Sequence, residues 1–343
     1  MENFITDTSE SIVVFQHLCD DIHSMIDIAA EIRKRYGNVR RARGYYLYTE
    51  KNIRLLDLWL DGGKAILGRR SGQAHLMCKQ FLDRGLTGVI PTKADAQLVR
   101  ALQTVLPDYP VIRWYYSEEK AQQIARSVYG EYSSSVHRLD DGKTAVSVPV
   151  WRPCLGIDTG VDIVDKIGNS GTAAEVETVP LALVTPVYPM PCGIIAAAAR
   201  FETVLPPSDA LFPPVVYSLA RAFFDLKRKE QEEDARKNAA NPSVRKGLKQ
   251  QRAALKRRLA VEELIPALWT QKSCYLFPHI SRTEYAAVFT QALDAHVLIS
   301  PDYDQPSVLP DCESYTELTG FLKSYRNGSQ IHEGIDQNAG TDV

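Results

Sequence analysis

The chain has 343 residues, of which 45% are hydrophobic and 24% are charged, and its formal net charge is −2. These values are typical of a globular protein and exclude a chain that is disordered throughout. The small net charge gives no general attraction to nucleic acid or to an anionic membrane. The sequence shows no signal peptide and no apolar run long enough to span a bilayer, so we expect a soluble cytoplasmic protein.

The cysteines and histidines do not form a recognisable metal or disulfide pattern. The six cysteines are scattered along the chain: Cys19, Cys78, Cys154, Cys192, Cys274 and Cys312. Their separation excludes the common zinc spacings and argues against a disulfide framework in a chain of this size. The seven histidines also lack a metal-binding spacing. We therefore predict no metal site, and we expect most of the thiols to be buried.

The N-terminal third contains a helix, a hairpin and a glycine-rich turn. Apolar residues at helical spacing predict an amphipathic helix over residues 9–36. Alternating apolar and polar residues over 45–58, interrupted by a polar turn at 49–52, then predict a β-hairpin. The segment Asp61, Gly62 and Gly63 follows, where the paired glycines allow a sharp turn and a close approach to another group.

This stretch, RARGYYLYTEKNIRLLDLWLDGGKAILG, resembles the corresponding segment of the class III aminotransferases and glutamate-1-semialdehyde aminomutases. Those proteins are fold type I enzymes that depend on pyridoxal 5′-phosphate (PLP). In that family the hairpin and the glycine pair lie near the mouth of the cleft. The resemblance therefore implies that Asp61, Gly62 and Gly63 are neighbours of a ligand, although tight backbone packing explains the same residues equally well.

The next predicted elements form a strand-to-helix junction. Residues 110–116 predict a strand, and Ser117 begins a helix with acidic residues in its first turn. The resembled family has Ser-Gly-Ser/Thr-Glu-Ala here and binds the cofactor phosphate at the helix N-terminus, a place suited to anions. The matching residues are Ser117, Glu118, Glu119 and Lys120. Two carboxylates repel a phosphate, and Lys120 offsets only part of this, so we predict a damaged cofactor site.

Residues 143–151 and 176–188 predict strands separated by a segment rich in Gly, Asp and Ser. The resembled enzymes need an aspartate against the pyridinium nitrogen and a lysine that holds the aldehyde. The best candidates are Asp158 and Lys166, but a parallel crossover needs more residues than separate them, which favours a solvated loop. Lys64 and Lys143 fit this role less well because neither follows a buried strand.

The remaining chain predicts several helices and short strands. Residues 192–199 suit either a strand or a helix, and a long helix follows the capped turn at 206–209. A second helix carries a basic stretch at 245–258 that suits RNA or an acidic partner, but no aromatic residues interleave, so an exposed helix is favoured. A strand at 273–277, a helix capped by Ser281, a strand at 297–300 and a last helix complete the chain.

This C-terminal order is similar to the small domain of the same aminotransferases, so the resemblance covers two blocks, 40–130 and 208–325. It implies an α/β fold of type I, with a shortened large domain built on a mainly parallel sheet and a small α+β C-terminal domain. We expect an N-terminal helix over 1–40, the large domain with its hairpin over 41–207, the long helices and small domain over 208–328, and a flexible tail over 329–343.

Three functional hypotheses follow. The favoured one is a degenerate, non-catalytic relative that keeps the dimeric aminotransferase scaffold, because the sequence offers poor versions of the lysine, the aspartate and the phosphate site. The first alternative is an active PLP-dependent aminotransferase or aminomutase acting on an amino or keto acid. The second is a binding protein that uses helix 245–258 for RNA or an acidic partner. The resemblance implies a homodimer, while the small-molecule ligand stays unidentified and nucleic acid is disfavoured.

Overall fold

A computed structural model describes residues 26–70, 72–88, 90–132, 137–138, 144–145, 148–159, 179–238 and 255–338. Within these ranges, no helix combines the length and the apolar character that crossing a bilayer requires.

The predicted hairpin is confirmed, and it forms part of a sheet that joins the two ends of the chain. Helix α1 (Ile28–Tyr36) precedes the antiparallel strands β1 (Val39–Arg43), β2 (Tyr46–Thr49) and β3 (Arg54–Asp57). A strand from the C-terminal region, β13 (Val297–Leu298), then pairs with β3 in parallel. The first and last parts of the described chain therefore share one sheet.

A second sheet of five strands occupies the middle of the chain. Its order is β4, β10, β9, β7, β8, and its strands are Val111–Tyr115 (β4), Val150–Arg152 (β7), Gly156–Asp158 (β8), Leu181–Val184 (β9) and Gly193–Ala197 (β10). A separate small pair is formed by β5 (His137–Arg138) and β6 (Thr144–Ala145). The stretch 192–199, which suited either a strand or a helix, contains a strand.

The expectation of a mainly parallel sheet is wrong. Among the described strands of this central sheet, only β7 and β9 pair in parallel, whereas β4 with β10, β10 with β9, and β7 with β8 are antiparallel. The physical reason is the length of the connections. Strand β7 reaches β8 through a tight turn and β9 reaches β10 through a short loop, whereas parallel neighbours need a crossover of about a dozen residues or more.

Helices cover both faces of this central sheet. Alternate strand residues such as Ile112, Ile194 and Ala196 face helices α2 (Ala74–Asp83), α3 (Ala94–Val105) and α5 (Pro213–Asn238). The intervening residues Tyr115 and Ile195 pack against α4 (Glu118–Tyr132). This period of two places apolar side chains on both faces, as expected for the central layer of an α/β fold.

The C-terminal region adds a three-stranded sheet and three helices. The elements are α6 (255–262), β11 (Trp269–Lys272), β12 (Tyr275–Pro278), α7 (Arg282–Asp294), β14 (Ser307–Val308) and α8 (Thr316–Asn338). Strands β11 and β14 were not expected. Helix α8 also continues into the stretch expected to be a flexible tail, because no proline interrupts it and single glycines lower helix stability by only about 1 kcal/mol. Of the basic stretch 245–258, residues 245–254 lie outside the described residues.

Candidate functional site at the start of helix α4

The backbone that follows β3 makes a left-handed turn. Leu60, Asp61, Gly62 and Gly63 have φ angles of 48°, 56°, 68° and 87°. The turn is closed by hydrogen bonds from the Gly63 N–H to the Trp59 carbonyl at 3.1 Å and from the Ala65 N–H to the Leu60 carbonyl at 2.9 Å. This conformation costs a non-glycine residue about 1–2 kcal/mol, so the surroundings must hold Leu60 and Asp61 in place.

A buried carboxylate fixes the start of this turn. Asp57 has no exposed side-chain surface, and it accepts hydrogen bonds from the Leu60 N–H and from Nε of Arg69, each at 2.8 Å. Burial raises the pKa of Asp57, while the charge and hydrogen bonds of Arg69 and the Leu60 N–H oppose this rise. Asp57 therefore links the end of β3 to both ends of the glycine-rich segment.

The turn lies where the central and C-terminal sheets meet. A Cβ placed on Gly63 would lie 3.7 Å from the Tyr275 ring, 3.8 Å from Val308 and 4.0 Å from Thr185. Tyr275 and Val308 belong to β12 and β14, and Thr185 directly follows β9. These are ordinary van der Waals distances, so the positive φ of 87° at Gly63, and not a lack of space, favours glycine here.

Lys64, the residue after the turn, reaches the start of helix α4. Its Nζ lies 2.5 Å from the Glu118 carboxylate and 3.8 Å from Asp61, and its side chain is only 17% exposed. Burial lowers the pKa of Lys64, but the hydrogen bond and charge of Glu118, together with Asp61, outweigh burial and raise it overall. The ammonium is therefore held in its protonated form.

The first turn of α4 satisfies its own polar groups. The Glu119 carboxylate accepts hydrogen bonds from the Ser117 hydroxyl and from its own backbone N–H, which lower its pKa. The Lys120 N–H donates to the Ser117 hydroxyl oxygen at 3.2 Å, and the Lys120 ammonium donates to Asp209 at 2.7 Å. Side chains of the protein thus occupy the donors and positive charge that an external anion would use.

Gly193, the first residue of β10, and the preceding Cys192 lie against the start of α4. Sequence reasoning did not single out either residue for this position. A Cβ on Gly193 would lie 2.4 Å from Ala121 Cβ and 2.6 Å from the Ser117 carbonyl oxygen, so only glycine allows this approach. The preceding Cys192 is fully buried, and burial, with the nearby Glu118 charge, raises the pKa of its thiol to about 12 although Lys64 opposes the shift. A neutral thiol therefore lies near the ion pair.

The structure brings together two of the predicted groups. Asp61, Gly62 and Gly63 meet the segment Ser117 to Lys120 through the contact of Lys64 with Glu118. From the sequence, Lys64 is a weaker candidate than Lys166 for the lysine that holds the aldehyde. The sequence gives no sign of a different role for Lys64 as an ion-pair partner of Glu118. The position of Lys64 directly after the glycine pair was the signal that could have placed it here. Lys166 and Lys143 lie outside the described residues.

Asp158 occupies a different environment from the helix start. It ends β8, and its carboxylate lies 3.3 Å from Nε of the buried Arg152. The Arg152 guanidinium also lies 5.7 Å from the centre of the Tyr275 ring and donates to Gln305 at 3.3 Å. Asp158 is therefore engaged by an internal cation.

The described residues at the start of α4 do not fit the phosphate group of PLP. A phosphate dianion requires free N–H donors and positive charge at a helix start, whereas α4 presents two carboxylates there, one of them paired with Lys64. The glycine that lets a phosphate approach the backbone in the resembled family is replaced by Glu118. Within the described ranges, no three His, Cys, Asp or Glu side chains cluster closely enough to hold a metal ion.

Solved structures define the class of fold. The chain is similar to ornithine aminotransferase from Plasmodium yoelii, with a TM-score of 0.52 and 12% identity over 86% of this chain and 98% of that one. The protein therefore has the α/β fold of the PLP-dependent type I aminotransferases, and the predicted fold class is confirmed.

Sequence comparison identifies the family. The chain is 37% identical over 319 residues to an uncharacterized protein of Treponema pallidum (strain Nichols), a match that spans 85% of this chain and 95% of the relative. The chain belongs to the family of that protein. A weaker match is to glutamate-1-semialdehyde 2,1-aminomutase from Methanothrix thermoacetophila. The two sequences are 23% identical over 128 residues, and the alignment covers 32% of this chain and 30% of that protein. No protein-family model matches the chain.

Proposed function

We propose that this protein is a non-catalytic relative of the aminotransferases, which keeps their fold and has replaced the cofactor phosphate site with an internal ion pair. The observation that carries the proposal is the contact of Lys64 with Glu118 at the N-terminus of α4. The place where the resembled family binds a phosphate is here supplied with negative charge by the protein itself.

The chemistry of the neighbouring groups supports the same conclusion. A lysine that attacks an aldehyde must lose its proton, and enzymes achieve this by lowering its pKa. Lys64 has the opposite environment, because Glu118 and Asp61 raise its pKa. The nearby Cys192 is also kept neutral, because burial raises its pKa to about 12. Within the described site, Lys64 and Glu118 form an ion pair, and neither Lys64 nor Cys192 is activated as a nucleophile.

The direct test is a titration of the full-length protein with PLP, followed by visible absorbance, borohydride reduction and mass spectrometry. We expect that PLP does not bind saturably in competition with inorganic phosphate. We also expect that borohydride reduction does not attach one PLP per chain to a single lysine. A yellow protein with one fully modified lysine would overturn the proposal. It would favour an active aminotransferase or aminomutase, the activities that give the Plasmodium yoelii and Methanothrix thermoacetophila proteins their names.

A matched pair of variants tests whether the carboxylates cause the loss of binding. The double variant Glu118→Gly and Glu119→Ser restores the residue types of the resembled family, so we expect it to gain weak, phosphate-competable PLP binding. The control is Asp95→Ser, which removes a first-turn carboxylate from helix α3 instead. Equal PLP binding by both variants would show that the gain comes from the lower negative charge of the protein and not from the start of α4.

We also propose that the protein is a homodimer, as the resemblance implies. Helices α2 and α5 share a face on which large apolar side chains are exposed among Gln and Arg residues: Leu76 is 48% exposed and Phe224 is 37% exposed. Two adjoining grooves of about 630 and 280 Å³ on this face share Met77 and Arg221. A second copy would cover these apolar groups, which monomeric proteins rarely leave contiguous.

The dimer is tested by light scattering of the purified protein during size-exclusion chromatography. We expect twice the mass of one chain for the unmodified protein and a single chain for Leu76→Glu. The control is Leu259→Glu on α6, a leucine with 49% exposure away from this face. A single-chain mass for the unmodified protein at high concentration would contradict the proposal.

A further inference from the structure

Two cysteines that are distant in sequence meet between the central and C-terminal sheets. Cys154 lies in the turn that joins β7 to β8, and Cys274 lies in the loop that joins β11 to β12. The Cys154 and Cys274 thiols lie near enough for each to shift the pKa of the other. The Ser273 hydroxyl also donates to the Cys154 carbonyl at 2.9 Å, so the two turns are in direct contact.

The backbone at Cys154 has a left-handed conformation, which is strained for a residue other than glycine. The Leu155 N–H donates to the Arg152 carbonyl at 3.2 Å, and Cys154 has a φ of 63°. Pro153 therefore occupies the second position of a β-turn with a left-handed third residue, the position that glycine normally fills. A cysteine here adds strain to the turn and places a thiol beside Cys274.

The second turn is held with equal firmness. Ser273 also has a positive φ, of 58°, and the Cys274 carbonyl accepts a hydrogen bond from the Leu309 N–H at 2.7 Å. The backbones that carry the two thiols are thus fixed by contacts on both sides. Two turns held in contact in this way keep the two cysteines in neighbouring positions, which a disulfide requires.

The two thiols are also electrostatically different. The hydrogen bond from Cys154, aided by the Ser273 hydroxyl and the Arg258 charge, lowers the pKa of Cys274 although burial opposes the shift. The same hydrogen bond, together with burial, raises the pKa of Cys154. The residue Cys154 is nevertheless exposed to solvent, so small reagents can reach the pair. The thiolate is the reactive species in disulfide exchange.

We propose that Cys154 and Cys274 are a redox-sensitive pair that closes into a disulfide by exchange with a low-molecular-weight disulfide such as oxidised glutathione. The Cys274 thiolate attacks one sulfur of the reagent, whose S–S bond breaks and releases one thiolate. The Cys154 thiol then gives its proton to that thiolate, attacks the Cys274 sulfur and releases the second reagent thiol after protonation. Two protein thiols are oxidised, and one reagent disulfide is reduced to two thiols.

The bond would join the two sheets behind the candidate site. Tyr275, the residue after Cys274, lies near Gly63 of the left-handed turn, since a Cβ built on Gly63 would be 3.7 Å from its ring, and the ring also lies beside Arg152. Closing the disulfide would restrict the separation of β7 and β8 from β11 and β12. The redox state of this pair therefore sets the rigidity of the surface on which the turn before Lys64 rests.

The experiment exposes the full-length protein to glutathione buffers of increasing oxidation, traps remaining thiols with an alkylating reagent and maps them by mass spectrometry. We expect one peptide cross-link between Cys154 and Cys274, reversal by dithiothreitol, and a thermal midpoint higher by about 5 °C in the oxidised protein. Unlinked thiols, or stable glutathione adducts on either cysteine, would overturn the proposal.

Two variants separate the bond from a general effect of oxidation. Cys154→Gly places the preferred residue in the strained turn, so we expect it to fold and to lose both the cross-link and the oxidative shift of the thermal midpoint. Cys78→Ser removes a half-buried cysteine elsewhere and should retain both. An oxidative shift that persists in Cys154→Gly would assign the effect to other thiols and refute the pair.

Discussion

Replacing Arg69 with methionine tests the role of the buried Asp57 in holding the left-handed turn. The Asp57 side chain is 0% exposed and that of Arg69 is 20% exposed, with 2.8 Å between the carboxylate and Nε. Removing the arginine leaves a buried carboxylate with one remaining backbone donor, the Leu60 N–H. Breaking a buried pair in this way costs about 3 kcal/mol, so we expect the free energy of unfolding to fall by about that amount.

The loss should depend on pH in a defined direction. Burial already raises the pKa of Asp57 in the folded protein, and removing Arg69 removes the largest opposing influence. A carboxyl group whose pKa is higher in the folded than in the unfolded state binds its proton more tightly when folded, so its contribution to stability is lost as pH rises through the folded pKa. The Arg69→Met variant should therefore be less impaired near pH 4 than near pH 7, because the protonated carboxyl group is the form that burial favours.

Urea unfolding of the unmodified protein and the variant at both pH values measures this effect. The control is Arg70→Met, which removes the neighbouring exposed arginine and should change stability by less than about 0.5 kcal/mol. The double variant Asp57→Asn with Arg69→Met removes both charges and should recover most of the loss. A loss below about 1 kcal/mol in Arg69→Met, with no pH dependence, would refute the reasoning.

Two further predictions concern packing and capping. Gly193→Ala should lower the free energy of unfolding by about 2 kcal/mol or more in urea titrations, because its Cβ would lie 2.4 Å from that of Ala121; an unchanged midpoint would contradict this close approach. Ser281→Ala should lower it by about 1 kcal/mol, because Ser281 and Glu284 form a capping box at the start of α7; the control Thr283→Ala should have a smaller effect.

The sequence predicted the local elements well because their signals are local. Alternation over the hairpin, the serine before α4 and the cap at Ser281 each depend on residues within a few positions of one another. The same property explains the predicted helices α2, α3 and α5. An amphipathic stripe or a cap can be recognised without knowledge of the partner that it will contact.

The contacts that form the candidate site could not be predicted in this way. The reach of Lys64 to Glu118 depends on a left-handed turn that includes Leu60, a residue type that rarely adopts positive φ. The meeting of Cys154 with Cys274 depends on two turns from different sheets. Neither contact leaves a periodic pattern in the chain, so only the folded arrangement shows it.

The parallel pairing of β3 with β13 has a consequence for how the protein acquires its structure during synthesis. Leu56 and Val297 are partners in one ladder, yet a ribosome makes Leu56 long before Val297. This edge of β3 therefore stays unpaired until Val297 has been made, about 240 residues after Leu56. Pairings between distant parts of a chain slow folding. Until Val297 arrives, the unpaired N–H and C=O groups of β3 can pair with another chain, so we expect aggregation of the newly made protein to begin at this edge and not at a helix, whose backbone groups are already bonded.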